Sequence, residues 1–419
     1  MAASKLDKAA PGRLVPVTLT ERAGPNLVAK PVDTLAYVPN PLPPDLDWKY
    51  LVAEHYDRLE QTLLALGRIN GLHKRVGNAA GLLRTLWMRE AKLSSQIEDI
   101  QTTAEDLVLA GAGRQLGVRQ QGREAWNYVR ALEHGVTSDL PMSVRLLCEM
   151  HKLLMSDVRG ADCRPGELRK IPVYIGDPEK GPRHARFIPT PPGDALRQSL
   201  DDLERFIHAE QPRIAPLLRI ALVHYQFETI HPFGDGNGRI GRVMVSRSLV
   251  KVGLLDHPVV YMSAYINRHK QRYVDLLLKI SLEGGQAWSD WIAFMVEAIR
   301  TQALDAIERS ERLISLRSDY QELLTSRNAP ARLFVILDRL FSLPAINAAE
   351  SAELVQVTDP TSYKDLSLLE ELGILTEYTG RRRDRDWVAR DIINVIESDD
   401  HSENAANDAG DEDAKHERQ

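Results

Sequence analysis

ETIHPFGDGNGRIGRVMVSRSLV, Glu228 to Val250, is the stretch on which the reading of the chain turns. From His231 to Arg242 it holds a histidine, an acid, four glycines, an asparagine and two arginines, and then an apolar helical pattern begins. Glycine and asparagine are poor residues for a helix interior, and close-set charges repel or need partners. The preceding LLRIALVHYQFETI predicts a helix ending near His231, and GRIGRVMVSRSLV predicts another. Between them GDGNG lets the backbone take positive φ and turn its N–H groups inward. Amides so arranged before a helix N-terminus form an anion site, which the helix dipole reinforces.

Around that turn the charged residues form a set. Arg239 and Arg242, three apart, are expected to share one helix face. Two guanidiniums, each able to make paired bonds to phosphate oxygens, suit a polyphosphate better than a single carboxylate. Asp235 would repel an anion unless it brings a cation, and Mg²⁺ shared with phosphate oxygens is the usual arrangement. His231 is the nearby group whose pKa suits taking a proton at neutral pH. Each part alone has a structural explanation: a packed histidine, a solvated arginine face, a simple turn. In this order and this close, they point to phosphate chemistry. The spacing matches neither the P-loop G-x-x-x-x-G-K-[ST] nor the Rossmann G-x-G-x-x-G, which would follow a strand rather than a helix.

The rest of the chain sets the context. Its 419 residues are enough for two or three domains. Hydrophobic content of 43% and charged content of 27% are ordinary for a globular protein. A net charge of -6 gives no global reason to expect nucleic-acid or membrane binding. No apolar run is long enough to span a bilayer, and the N-terminus has no apolar core of a secretory signal. The two cysteines, Cys148 and Cys163, form neither a metal-ligand pair nor a disulfide framework, so a cytoplasmic location is expected.

Residues 1–48 are proline-rich without periodicity and read as an extended arm. Residues 49–135 follow a helical period, as in AAGLLRTLWMREAKLSSQIEDI. Residues 136–300 contain the motif. They also contain PGELRKIPVYIGDPEKGPRHARFIPTPP, in which β-branched and aromatic residues flank a Gly/Asp/Pro turn and predict a short hairpin, Ile171 to Pro189. Residues 301–328 read as a connecting helix. Residues 329–396 read as three helices followed by two short strands, ILTEYT and DWVAR, around a basic tip, the order of a winged helix-turn-helix. Residues 397–419 are acidic and almost devoid of apolar side chains, so disorder is expected there.

HPFGDGNGRIGR resembles the Fic family signature H-x-F-x-[D/E]-G-N-G-R-x-x-R at every fixed position. The resemblance covers most of the chain. It implies a mainly α fold: a Fic-type helical core with a short β-hairpin flap, here followed by a winged helix-turn-helix domain. Fic proteins are mainly AMP transferases, moving AMP from ATP to a protein hydroxyl and releasing pyrophosphate. Carried over, His231 would deprotonate the target Ser, Thr or Tyr, and Asp235 would hold Mg²⁺. Asn237 would orient the α-phosphate, with backbone amides from the glycines of the turn, Gly234, Gly236 and Gly238. Arg239 and Arg242 would grip the β- and γ-phosphates, and Phe233 would anchor the loop. Doc kinases carry a lysine near the second glycine, whereas Gly238 leaves room for the pyrophosphate end. The hairpin fits the family's flap, which pairs with the target's main chain, here expected at Arg186, Phe187 and Ile188.

KLSSQIEDI adds a regulatory reading. Ser94 and Glu98, four apart, face the same way on a helix. They resemble the family's inhibitory motif [S/T]-x-x-x-E-[G/N], in which the glutamate would engage Arg242 and keep the γ-phosphate from docking. Asp99 departs from the Gly or Asn of that pattern. The same glutamate could instead position water for removing AMP. At the C-terminus, Arg381, Arg382, Arg383 and Arg385 make DNA a rival partner, but Asp384 and Asp386 dilute the charge and TSYKDLSLLEEL is too acidic for a groove reader, so protein contacts are favoured. Expected partners are thus ATP and a protein with an exposed hydroxyl, with a homodimer implied by the family and no membrane. The target, the base of the nucleotide and the direction of net AMP transfer stay open.

Overall fold

The computed structural model describes residues 11–21, 30–75, 79–114, 118–157, 164–210, 213–381 and 385–398. The N-terminal segment forms a hairpin, β1 (Gly12–Glu21) and β2 (Lys30–Pro39), rather than the expected arm; its strands pair antiparallel from Gly12↔Pro39 to Glu21↔Lys30. Pro16, Pro31 and Pro39 disguise it in the sequence, yet a two-stranded sheet has open edges where a missing N–H is tolerated. Val32, Ala36, Tyr37 and Val38 of β2 are buried against the body of the protein.

Helices follow: α1 (Trp48–Glu54), α2 (Tyr56–Arg75), α3 (Ala79–Ile97), α4 (Ala104–Gly111), α5 (Gln120–Thr137), α6 (Val144–Leu154), α7 (Asp194–His208), α8 (Pro216–Ile230), α9 (Asn237–Lys251), α10 (Ser263–Arg268) and α11 (Lys270–Glu283). Side-chain caps begin several of them. Asp47 accepts from Lys49 N and Tyr50 N before α1, Thr103 from Asp106 N before α4, and Ser143 from Leu146 N before α6. Pro216 opens α8 at a position where no N–H is needed. α8 is buried nearly all round: from Leu217 to Ile230 every residue but Arg219 is buried. It is therefore the central helix, with α7, α9 and α12 (Gln286–Ser326) packed about it.

α12 runs unbroken from Gln286 to Ser326, so no boundary falls at 300/301, where a separate connecting helix was expected. At 41 residues it is roughly 60 Å long. Its first half, Trp288 to Ile307, belongs to the main core, and Leu313, Tyr320 and Leu324 belong to a second one. Around that second core lie α13 (Ala331–Ser342), β3 (Ala345–Asn347), α14 (Ala348–Val355), α15 (Asp359–Glu371), β4 (Thr376–Glu377), β5 (Asp386–Val388) and α16 (Arg390–Glu397). The sheet order is β3-β5-β4, all antiparallel, so the helix–helix–helix–strand–strand order read from the sequence gains a third strand. Arg382 to Asp384 of the basic tip and residues 399–419 of the acidic tail lie outside the described residues.

The segment between α6 and α7 is less regular than the expected hairpin. Ile175 and Phe187 form a single bridge, and short 3₁₀ turns occupy Pro178–Lys180 and Pro182–His184. Five prolines between Pro172 and Pro191 remove the N–H groups that a longer ladder requires. β2 extends the structure instead, with Tyr37 N donating to Ile188 O at 2.8 Å. Among the described residues no helix is long and apolar enough to cross a membrane.

Candidate active site

α8 ends at His231, which takes left-handed backbone angles (φ 53°, ψ 63°). Arg169, at the start of the flap segment, holds that turn: its Nε donates to His231 O at 2.8 Å, its Nη2 to Ile230 O at 3.3 Å and to Thr190 O, and its own N–H to Pro232 O at 3.0 Å. Burial pushes the Arg169 guanidinium down to about 10. His231 Nδ1 lies 3.2 Å from Glu228 O, so Nδ1–H donates there and Nε2 is left as an acceptor. Burial pushes His231 down to about 4; the Glu228 carbonyl opposes this and the Arg169 charge adds to it. The imidazole is therefore neutral at pH 7.

Two residues fix the loop that follows. Phe233, fully buried, stacks on His151 with centroids 4.0 Å apart and planes at 6°. His151 Nδ1 accepts from Gly166 N at 2.9 Å, so its Nε2–H donates to Asp235 O at 3.1 Å. Asn237 closes the loop on itself. Its Oδ1 accepts from Phe233 N and its Nδ2 donates to Phe233 O, both at 2.9 Å. As found, the carboxamide expected to orient a phosphate is engaged with the main chain, with one amide hydrogen to spare. Gly236, at φ 76°, is the left-handed residue from which α9 starts, and its N–H donates to Asp235 Oδ1 at 2.6 Å instead of facing a ligand. Asp235 itself is 53% exposed.

The two arginines diverge, although they were expected to share a face. Arg239 lies buried with Nη2 3.5 Å from Asp235 Oδ2 and 3.6 Å from Met155 Sδ, and its Nε and Nη1 have no partner. Arg242, 2% exposed, points to α3: Nε donates to Ser94 Oγ at 2.9 Å, and Nη2 to Ser94 O at 3.1 Å and Glu98 Oε1 at 3.0 Å. Burial raises the Glu98 carboxyl, but the Arg242 and Arg239 charges together outweigh it and hold the group below its usual range. Gly238 leaves room for this pair: a Cβ there would stand 2.7 Å from Glu98 Oε1 and push the carboxylate tip aside.

The end of α3 is well formed despite Asp99. Asp99 takes the left-handed conformation (φ 60°), Ile100 N donates to Ser95 O at 3.0 Å, and Lys270 Nζ donates to Ile97 O at 2.7 Å. Backbone closure of this kind normally uses glycine or asparagine.

Glu98, His231, Gly238 and Arg242 line one cavity of about 430 Å³, roofed by Ile175 and Phe187 of the flap and walled by α11. Its volume suits a nucleotide-sized ligand. Glu228 also faces it, buried, with Oε1 unpaired; burial pushes this carboxyl up to about 7 against the pull of Arg242. A larger groove of about 930 Å³ lies along α2, away from the motif, and its walls are mostly apolar. Of the flap residues expected to meet a target, Phe187 has both backbone groups bonded to Ile175, and Ile188 O is taken by Tyr37. Arg186 keeps an exposed side chain that pairs with Asp275. Nothing in the sequence marks Arg169 or His151, whereas Glu228 stands at the head of the motif stretch.

The site thus combines a half-buried, neutral imidazole, a glycine turn, a helix N-terminus and an arginine held by a second helix. Residues 141–249 match the Fic/DOC family, and residues 56–137 match the Fic/DOC family N-terminal region. The chain thus carries a Fic/DOC domain preceded by that family's N-terminal region. It is similar to the protein adenylyltransferase Fic of Culex quinquefasciatus, 31% identical over 144 residues, which are 34% of this chain and 25% of the relative. To that of Drosophila grimshawi it is 27% identical over 161 residues, 38% of this chain and 29% of the relative. The chain spans about a quarter of the length of the curated relatives it matches. Among solved structures, a Fic family protein from Desulfovibrio desulfuricans G20 superposes with a TM-score of 0.48 at 20% identity, covering 79% of this chain and 95% of that one. Fic-1 (residues 134–508) from C. elegans gives 0.46 at 19%, covering 62% and 76%.

Proposed function

We propose that this protein transfers AMP from ATP to a Ser, Thr or Tyr hydroxyl of a protein, itself included, and that Glu98 restrains the reaction. The observation that carries this reading is the three-bond hold of Ser94 and Glu98 on Arg242, at the wall of a cavity shared with the free Nε2 of His231. The arginine that would meet phosphate in this reading is engaged by a carboxylate from elsewhere in the chain. In the transfer, His231 Nε2 takes the proton of the attacking hydroxyl. The hydroxyl oxygen forms a bond to the α-phosphorus, the bond to the β-phosphate oxygen breaks, and pyrophosphate leaves. The unpaired N–H groups of the first turn of α9 offset charge on the phosphates. Arg239 and, once released, Arg242 bind the outer phosphates.

Mg²⁺ fits the residues present. Asp235 is one half-exposed carboxylate, and Mg²⁺ bound with nucleotide commonly takes one or two carboxylates, its other ligands being phosphate and water. Among the described residues no group of three or more metal-ligating side chains occurs. When bound, Mg²⁺ would neutralise phosphate charge.

The test uses ATP labelled at the α- or the γ-phosphate with Mg²⁺, on the unaltered protein, Glu98→Gly and His231→Ala. Label retained from the α-position alone, stronger in Glu98→Gly and absent in His231→Ala, is expected. Label from the γ-position would make the protein a kinase, and none from either in Glu98→Gly would overturn AMP transfer from ATP.

A further inference from the structure

α3 has two working faces. Glu90, Ser94 and Glu98 recur every four residues towards Arg242 and its surroundings. Thr85 and Lys92 point the other way; at about 100° per residue, Thr85 and Glu90 lie about 140° apart. On that second face Thr85 Oγ1 donates to Phe341 O of α13 at 2.7 Å, in a buried position. α13 and α16 both pack along α3, and α16 also packs on α4. Leu343, Val388, Ile393 and Ile396 of the C-terminal unit belong to the main core rather than the second one. The C-terminal elements are therefore built into the back of the helix that restrains Arg242.

The contact that matters most is made by one carboxylate. Glu397, the last residue of α16, accepts from Ala104 N at 3.1 Å and lies 3.8 Å from Lys92 Nζ. Ala104 opens α4 and Lys92 lies in the last turns of α3, so Glu397 bridges the two helices on either side of the segment that holds Glu98. The next residue, Glu105, pairs with Arg390 at the start of α16 at 3.0 Å. Farther along, Arg114 makes a two-bond contact with Glu350 of α14, both at 2.7 Å.

We propose that Glu397 is a positioning residue for Glu98: by tying α3 to α4 it sets how firmly Glu98 holds Arg242, and the C-terminal unit thereby governs the site. The idea rests on the reading of Glu98 as a restraint on AMP transfer. Among the described residues, the polar contacts of Glu397 are with Ala104 of α4 and Lys92 of α3, outside the catalytic motif.

The test is Glu397→Ala, with Glu397→Gln as the conservative variant, each in the full chain alone and combined with Glu98→Gly. Two readouts are taken: label retained from α-labelled ATP, and amide hydrogen exchange of peptides covering residues 90–104. Glu397→Ala should label several-fold more than the unaltered protein and exchange faster around Glu98. Glu397→Gln keeps an acceptor for Ala104 N and should fall between. On Glu98→Gly neither change should add label, because the restraint is already gone. Unchanged labelling or unchanged exchange in Glu397→Ala overturns the proposal, as does an equal rise on Glu98→Gly. If Glu98→Gly itself takes up no label, the transfer reading fails, while the exchange measurement, which needs no nucleotide, still decides the positioning.

Discussion

Glu98 and Arg242 meet at 3.0 Å although 144 residues separate them in the chain. Arg242 belongs to α9 and Glu98 to the end of α3, so the contact joins the two parts of the chain that match separate stretches of the family. Hydrogen bonds to charged groups contribute about 1.5–3 kcal/mol each. Removing Glu98 should therefore raise nucleotide transfer by roughly ten- to a hundredfold, which self-labelling rates would show. Ser94→Ala leaves the carboxylate in place and should give a smaller rise.

Arg169 should prove as necessary as the motif. Its guanidinium serves three carbonyls around His231, and a buried acceptor left without a partner costs about 1–3 kcal/mol. Arg169→Met should lower the melting temperature by several degrees. In a Glu98→Gly background it should also lower kcat with little change in the KM for ATP, since Arg169 holds His231, the proposed base, and not the nucleotide. An unchanged kcat would count against this.

The pH profile follows from the burial of His231. As the proposed base, His231 must be neutral, and its pKa is depressed from 6.5 to about 4. The acid limb of kcat/KM should thus lie well below pH 6, whereas an ordinary histidine would place it near 6.5. Stability carries the same sign. His73, His151 and His231, each lowered to about 4, stay neutral in the folded chain but bind protons near pH 6.5 once unfolded. Stability is then full above about 6.5 and declines as pH falls from there towards 4. Melting temperatures across that range would check it.

Gly241 and Glu228 form a fitted pair. A Cβ on residue 241 would collide with Glu228 Oε1 and lie 3.2 Å from His224 Cε1. Gly241→Ser should destabilise the protein by about 1–3 kcal/mol, the usual range for overpacking. Glu228→Ala in the same chain should recover most of the loss. Thermal unfolding of the two single variants and the double variant measures this, and independent effects would sink the idea.

What could be read from the sequence was local. Four-residue spacing placed Ser94 and Glu98 on one face of a helix, and the glycine turn marked the passage from α8 to α9. Three-residue β3 is too short to show alternation, and the prolines of β1 and β2 looked like breaks. α12 shows no break because its apolar positions simply pass from one core to the next. Arg169 was invisible for a different reason: its partners are carbonyls, which carry no residue identity, so a buried arginine in ELRK looked like a surface one. The separation of Arg239 from Arg242 likewise depends on Met155 and Ser94, which only the fold brings near.

The bond between Tyr37 and Ile188 makes the two sides of the flap segment unequal. The stretch through Phe187 and Ile188 is flanked by Ile175 on one side and by β2 on the other. An extended polypeptide arriving at the cavity would find that lane filled, and would have to align along the outer side of the Ile175 segment. The direction and register of such an arrival would then be dictated by residues near the beginning of the chain, more than 130 positions from the flap they brace.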